Sequence, residues 1–82
     1  MDSQVRASSA ADLPGNPFER GIYLSVGRGG QVDLVEAHKW FNIAAASGNR
    51  SAAQHRDELA EEMSRQELAA ALKAAREWIS LH

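Results

Sequence analysis

Four segments of the chain place apolar side chains at the three- and four-residue spacing of an α-helix, which predicts an all-α protein. We expect these helices over residues 17–26, 34–47, 51–62 and 65–81. Short gaps separate them, so consecutive helices are expected to be antiparallel neighbours, forming helical hairpins stacked as a short α-solenoid. Val and Ile are few and Thr is absent, which disfavours a sheet.

Capping residues support three of the four helix starts. Asn16 precedes Pro17, and Asn can cap a helix while Pro suits its first position. Asp33 is a candidate N-cap for the second helix. Ser64 and Glu67 have the spacing of a capping box, in which each side chain accepts a hydrogen bond from the other residue's backbone.

The apolar faces predict which side chains enter the core. Trp40 is expected to fill the space between helices, and His38, beside the same stripe, is expected to be an interhelical histidine with its hydrogen bonds made. The fourth helix has the most regular face, with four side chains at i, i+4, i+7 and i+11. These are Leu68, Leu72, Ala75 and Ile79.

Composition limits the function classes. The chain has 82 residues, a net charge of −2 and no cysteine, so it has room for one modest core and offers neither a disulfide nor a thiolate metal site. The charge gives no reason to expect nucleic acid or an anionic membrane as partner. No apolar run approaches the roughly 20 residues of a membrane span or resembles a signal peptide, so the expected location is cytoplasmic. Residues 1–15 are expected to be a disordered tail.

Polar residues give no catalytic arrangement. The glycines of residues 27–30 resemble a phosphate cradle, but the Lys-Ser/Thr of a P-loop is missing, so a turn between helices is favoured. His55 and Glu58 are three residues apart, a spacing that can share a metal, yet no third ligand is clearly on their face. We therefore expect solvated or partner-facing side chains, no metal, no cofactor and no enzyme activity. The acidic run 57–62 is expected to be the wet face of the third helix.

The spacing of small residues resembles the Sel-one-like repeat family, relatives of the tetratricopeptide repeats. That family has a glycine in the first helix, a GxG turn, an Asp and then AxxWxxxAAxxG with a further Ala. Its positions are occupied here by Gly21, Gly27, Gly29, Asp33, Ala37, Trp40, Ala44, Ala45, Gly48 and Ala52. The match covers residues 16–52, within a helical-repeat domain at 16–82. The following repeat at 51–63 is degenerate, and 64–81 resembles a capping helix.

The resemblance implies a protein–protein interaction module. In that family the first helix of each repeat lines a concave binding surface. Carried over to this chain, it makes Glu19, Tyr23, His55 and Glu58 candidate partner-binding residues. Since about three repeats are usually needed for stability, self-association or docking on a larger protein is also expected.

A small DNA-binding regulator is the alternative interpretation. Its third and fourth helices would form a helix-turn-helix, with phosphate contacts from Arg50, Arg56, Arg65, Lys73 and Arg76. Acidic residues nearby neutralise this basic set, which favours the interaction module.

Overall fold

A computed structural model describes residues 14–82 of the chain and confirms the all-α prediction. Four helices follow one another: α1 at Pro17–Ser25, α2 at Leu34–Ala46, α3 at Arg50–Ala60 and α4 at Arg65–Leu81. No strand occurs in this part of the chain. None of these helices combines the length and apolar character needed to cross a membrane. The predicted tail lies outside the described residues except for positions 14 and 15.

Side-chain caps begin every helix. The Asn16 carboxamide oxygen accepts from the backbone N–H of Phe18 at 2.8 Å, and the Asp33 carboxylate accepts from that of Glu36 at 3.1 Å. The capping box at the start of α4 is complete, with both reciprocal hydrogen bonds present. These three predicted caps are confirmed. The cap of α3 is Asn49, whose carboxamide oxygen accepts from the backbone N–H of Ala52 at 2.9 Å.

Helix α2 is the centre of the fold, because α1, α3 and α4 all pack on it. One face of α2 presents Phe41 between small residues to α1 and α3. A second face presents Trp40 and Ile43 to α4. Leu24 from α1 packs against both clusters and joins the two halves of the core.

Close approach of α1 to α2 depends on Gly21. A Cβ atom at this position would lie 2.5 Å from two carbons of the Phe41 ring. Phe41 is itself fully buried and packs against Ala37, Ala44 and Ala52, so a shift of its ring would disturb these contacts. The glycine that the sequence pattern singled out in the first helix therefore has a packing role.

The prediction for the apolar face of α4 is wrong for two of its four residues. Ala71 and Ala75 are the buried positions of α4, whereas Leu72 and Ile79 are 43% and 46% exposed. The bulky residues at this contact come from α2, so α4 approaches closely by presenting its small side chains. The result is a partly uncovered apolar strip on the outside of α4.

The arrangement departs from a stack of two packed hairpins. Helices α1 and α2 form the expected close pair. Helices α3 and α4 make little contact with each other, although only residues 61–64 separate them, and each is attached to α2 instead. The fold is thus three helices around a central one.

Trp40 is buried, as predicted, in a surrounding that includes two cations. The Arg20 guanidinium carbon lies 4.6 Å and the Lys39 ammonium 4.5 Å from the centre of the indole ring. Trp78 meets the ring edge-on at 5.5 Å. Among residues 14–82 the indole nitrogen of Trp40 has no hydrogen-bond partner, so within this part of the chain Trp40 stabilises the fold through apolar and cation–π contacts.

Candidate functional site

The segment between α1 and α2 is a turn, as predicted, and it shapes one wall of the candidate site. Gly27 and Gly30 have φ angles of 71° and 112°, in the left-handed region that favours glycine. The backbone N–H of Gly30 donates to the carbonyl of Gly27 at 2.9 Å, which closes the turn. Two valines that flank it point outward, with Val26 60% and Val32 57% exposed.

A cavity of about 370 Å³ lies between this turn, the start of α2 and the last turns of α3. Its apolar part includes the edge of the buried Phe41 ring, and acidic side chains lie along α3. The volume falls near the lower end of the roughly 300–1,000 Å³ range of ligand pockets. The lining residues are Ser25, Val32, Leu34, Phe41, His55, Glu58, Leu59 and Glu62.

His55 joins the cavity to the core. Its ring lies 5.4 Å from that of Phe18, edge-on, and 5.2 Å from that of Phe41. Its Nδ1 lies 2.8 Å from the Ser51 carbonyl oxygen, and since a carbonyl only accepts, Nδ1–H is the donor. The half-buried ring is therefore held in place, and its expected role as a solvated or partner-facing side chain stays a prediction.

The acidic run of α3 is exposed, as predicted, but its members differ in their partners. Asp57 accepts a hydrogen bond from the Arg56 Nε at 3.0 Å. Glu58 and Glu62 line the cavity, and neither forms an ion pair within residues 14–82. No basic side chain lies in the last turn of α3, so the negative end of the helix dipole also remains uncompensated. The electrostatic potential on this side of the cavity is therefore negative.

The structure brings together two of the four residues named from the sequence. His55 and Glu58 both line the cavity. Glu19 is exposed on α1 and does not line it. Tyr23 lies over the interhelical turn, where a Cβ on Gly29 would come within 2.7 Å of its ring. The four residues therefore do not form one continuous surface with this cavity.

Sequence reasoning did not identify Val32 and Glu62 as members of the site. Glu62 stood in the acidic run, but its distance from the turn depends on how α3 packs on α2. Val32 carries no sequence signal beyond being an apolar residue after a glycine turn. Its position follows from the left-handed glycines that reverse the chain between α1 and α2.

His38 is buried as predicted, with 2% of its surface exposed, but its Nδ1 has no hydrogen-bond partner in the part of the chain that the structure describes. The expectation of a histidine with its hydrogen bonds made is therefore wrong for this atom. Burial lowers the pKa of His38 below its ordinary value of 6.5, and the positive Arg56 lowers it further, whereas Asp57 acts in the opposite direction. His38 is thus a neutral imidazole in the folded protein near pH 7.

The site offers no arrangement for a bound metal. Within residues 14–82, no group of three or more His, Asp or Glu side chains is placed to hold an ion. Comparisons with protein-family models, with curated proteins and with solved structures found no match. The resemblance to the Sel-one-like repeats therefore stays a prediction, and the function is argued from the cavity.

Proposed function

We propose that the protein is a protein–protein interaction module that holds a segment of its partner in the cavity between the α1–α2 turn and α3. The observation that carries the proposal is the cavity itself, which combines the exposed Val32, an apolar floor and two carboxylates without an ion-pair partner among residues 14–82. Protein-binding sites commonly combine an apolar centre with a polar rim. The resemblance to helical repeats points to the same class of function.

The DNA-binding alternative receives no support from the packing of α3 and α4. A helix-turn-helix needs its two helices in contact, so that one positions the other in the major groove. Here the two helices make little contact with each other. We expect no shift of duplex DNA in a gel at micromolar protein and physiological salt, where non-specific binders bind at about 10⁻⁴–10⁻⁶ M.

Two valine variants test the proposed function. Val32→Arg places a long cationic side chain at the cavity, whereas Val26→Arg makes the same change on an equally exposed residue of the same turn that does not line it. Tagged protein should capture a partner from its own cell extract. Wild type and Val26→Arg should retain that partner, and Val32→Arg should lose it.

A partner captured equally by both variants would place the binding surface elsewhere. Circular dichroism spectra of the two variants, which should match that of the wild type, serve as the folding control. Purified partner should then be titrated into each variant, so that loss of capture is expressed as a change in Kd.

A further inference from the structure

We propose that the partner segment is basic and apolar: an extended stretch with one bulky aliphatic or aromatic side chain beside a lysine or arginine. This inference rests on the proposed function and adds the chemistry of the ligand. The apolar side chain would enter the cavity against Phe41 and Leu59. The cation would lie against Glu58 and Glu62.

The size of the cavity indicates that single side chains of the partner bind in it. A helix with its side chains is about 10–12 Å wide, so a volume of this size holds individual side chains of a partner and not a whole helix. Its floor belongs to residues that are already fixed by the core, above all Phe41. A preformed apolar recess of this kind favours one bulky anchor residue.

The negative charge of the site indicates that the partner segment carries a positive charge. Glu58 and Glu62 are four residues apart at the end of α3, with no cation paired to either within the described residues. They add to the negative end of the helix dipole, which is an unfavourable placement in the free protein. A bound lysine or arginine relieves this repulsion, whereas an acidic segment would increase it.

His55 contributes a fixed boundary between the two halves of the site. Because its Nδ1–H donates to the Ser51 carbonyl, Nε2 is the ring nitrogen left for a ligand. The ring is held by Phe18 and Phe41, so it presents this nitrogen without loss of side-chain freedom on binding.

Selection from a phage-displayed library of random linear peptides tests this chemistry with a defined probe. Peptides enriched on the wild-type protein should contain Lys or Arg next to Leu, Ile, Met or Phe. Synthetic copies should bind less tightly as salt is added, because exposed charges are screened. Enrichment of acidic peptides, of peptides without basic residues, or of no peptides would overturn the proposal.

A matched pair of charge variants assigns the effect to the cavity. Glu58→Gln/Glu62→Gln should weaken peptide binding about threefold to tenfold, the effect of losing two partly solvated ion pairs. Glu61→Gln/Glu77→Gln removes the same charge from exposed residues that do not line the cavity, and should bind as the wild type does. Equal binding by both double variants would overturn the proposed charge recognition.

Two further readouts separate this proposal from the proposed function. If peptides bind and Val32→Arg abolishes binding, but Glu58→Gln/Glu62→Gln does not change it, the cavity is a docking site of different chemistry. If Val32→Arg has no effect either, the proposed function fails at this site. A concentration-dependent dimer in light scattering that Val32→Arg dissociates would identify a second copy as the occupant and overturn the basic-peptide proposal.

Discussion

At position 21 the absence of a side chain lets α1 approach the ring of Phe41. Adding a methyl group there would bring it to 2.5 Å from two ring carbons, at a residue that is completely buried. Ala is favoured over Gly by about 1 kcal/mol in a helix interior, but overpacking a core costs about 1–3 kcal/mol. The difference leads us to expect that Gly21→Ala lowers the free energy of unfolding by up to about 2 kcal/mol, measured by urea denaturation.

Gly15 provides the control for this substitution. A Cβ at position 15 would meet nothing within 4 Å. Gly15→Ala should therefore leave the urea midpoint near that of the wild type. A Gly21→Ala protein as stable as Gly15→Ala would show that the crowding against Phe41 costs no more than the roughly 1 kcal/mol that alanine gains in a helix.

His38 should make the stability of the protein depend on pH. Its pKa is lowered by burial in the folded state, so below the ordinary value of 6.5 the unfolded chain takes up a proton that the folded protein does not. Stability contributed by the neutral ring is therefore present above that pH and is lost as the pH falls, by at most about 1.4 kcal/mol per unit. Urea denaturation between pH 7 and pH 5 measures it.

The substitution His38→Gln removes the titrating ring and should flatten this pH dependence relative to the wild type. His82→Gln, at an exposed histidine, should retain the wild-type dependence. If the curves of wild type and His38→Gln stay parallel from pH 7 to pH 5, carboxylates and not His38 set the pH response.

At the scale of the helices, the ends of each helix were easier to predict from the sequence than its buried face. Caps such as Asn16 and Ser64 act on backbone groups a few residues away, so local sequence contains the whole interaction. The buried face of α4 depends on which helix it meets. Leu72 and Ile79 form the more regular apolar pattern, yet the bulk of Trp40 and Ile43 selects Ala71 and Ala75.

This selection can be tested by a pair of substitutions in α4. Ala75→Leu inserts three carbons where α4 meets Trp40 and Ile43, so we expect a loss of about 1–3 kcal/mol. Leu72→Gln, at the half-exposed neighbouring strip, should stay within about 0.5 kcal/mol of the wild type. Thermal unfolding followed by circular dichroism checks both. If Leu72→Gln destabilised the protein more than Ala75→Leu did, the buried face of α4 would be the one predicted from the sequence pattern.

The candidate site, like the helices, was predictable from the sequence only in part. His55 and Glu58 could be named because a resemblance assigns the first helix of each repeat to the binding surface. Val32 and Glu62 enter the cavity through tertiary packing: one follows a turn with left-handed glycines, and the other lies beyond the end of α3. The distance between two such segments cannot be inferred from a local sequence pattern.

At the scale of the whole molecule, Trp40 connects α4 to the rest of the core. Removing its side chain deletes its contacts with both Ala75 and Trp78 and leaves Ile43 as the other α2 residue of this cluster. Large-to-small changes of buried aromatics cost about 3–5 kcal/mol, which equals what a core of this size supplies. We expect Trp40→Ala to be largely unfolded at room temperature, as judged by circular dichroism and urea denaturation.

The control for Trp40→Ala is Leu81→Ala, a truncation at a strongly exposed residue near the end of α4. This variant should unfold cooperatively at the wild-type urea concentration. A Trp40→Ala protein that remained helical and cooperative would mean that α4 does not need this contact to stay attached.

The two indoles of the chain also give the molecule an optical property of its own. Trp40 and Trp78 lie 5.5 Å apart at an angle of 73°, close enough for their electronic transitions to couple. Such coupling produces paired circular dichroism bands whose size depends on the distance and angle between the rings. The ring of His82 stacks on that of Trp78 at 4.1 Å, so the surroundings of the two indoles differ. Separation of α4 from α2 is thus visible in unlabelled protein.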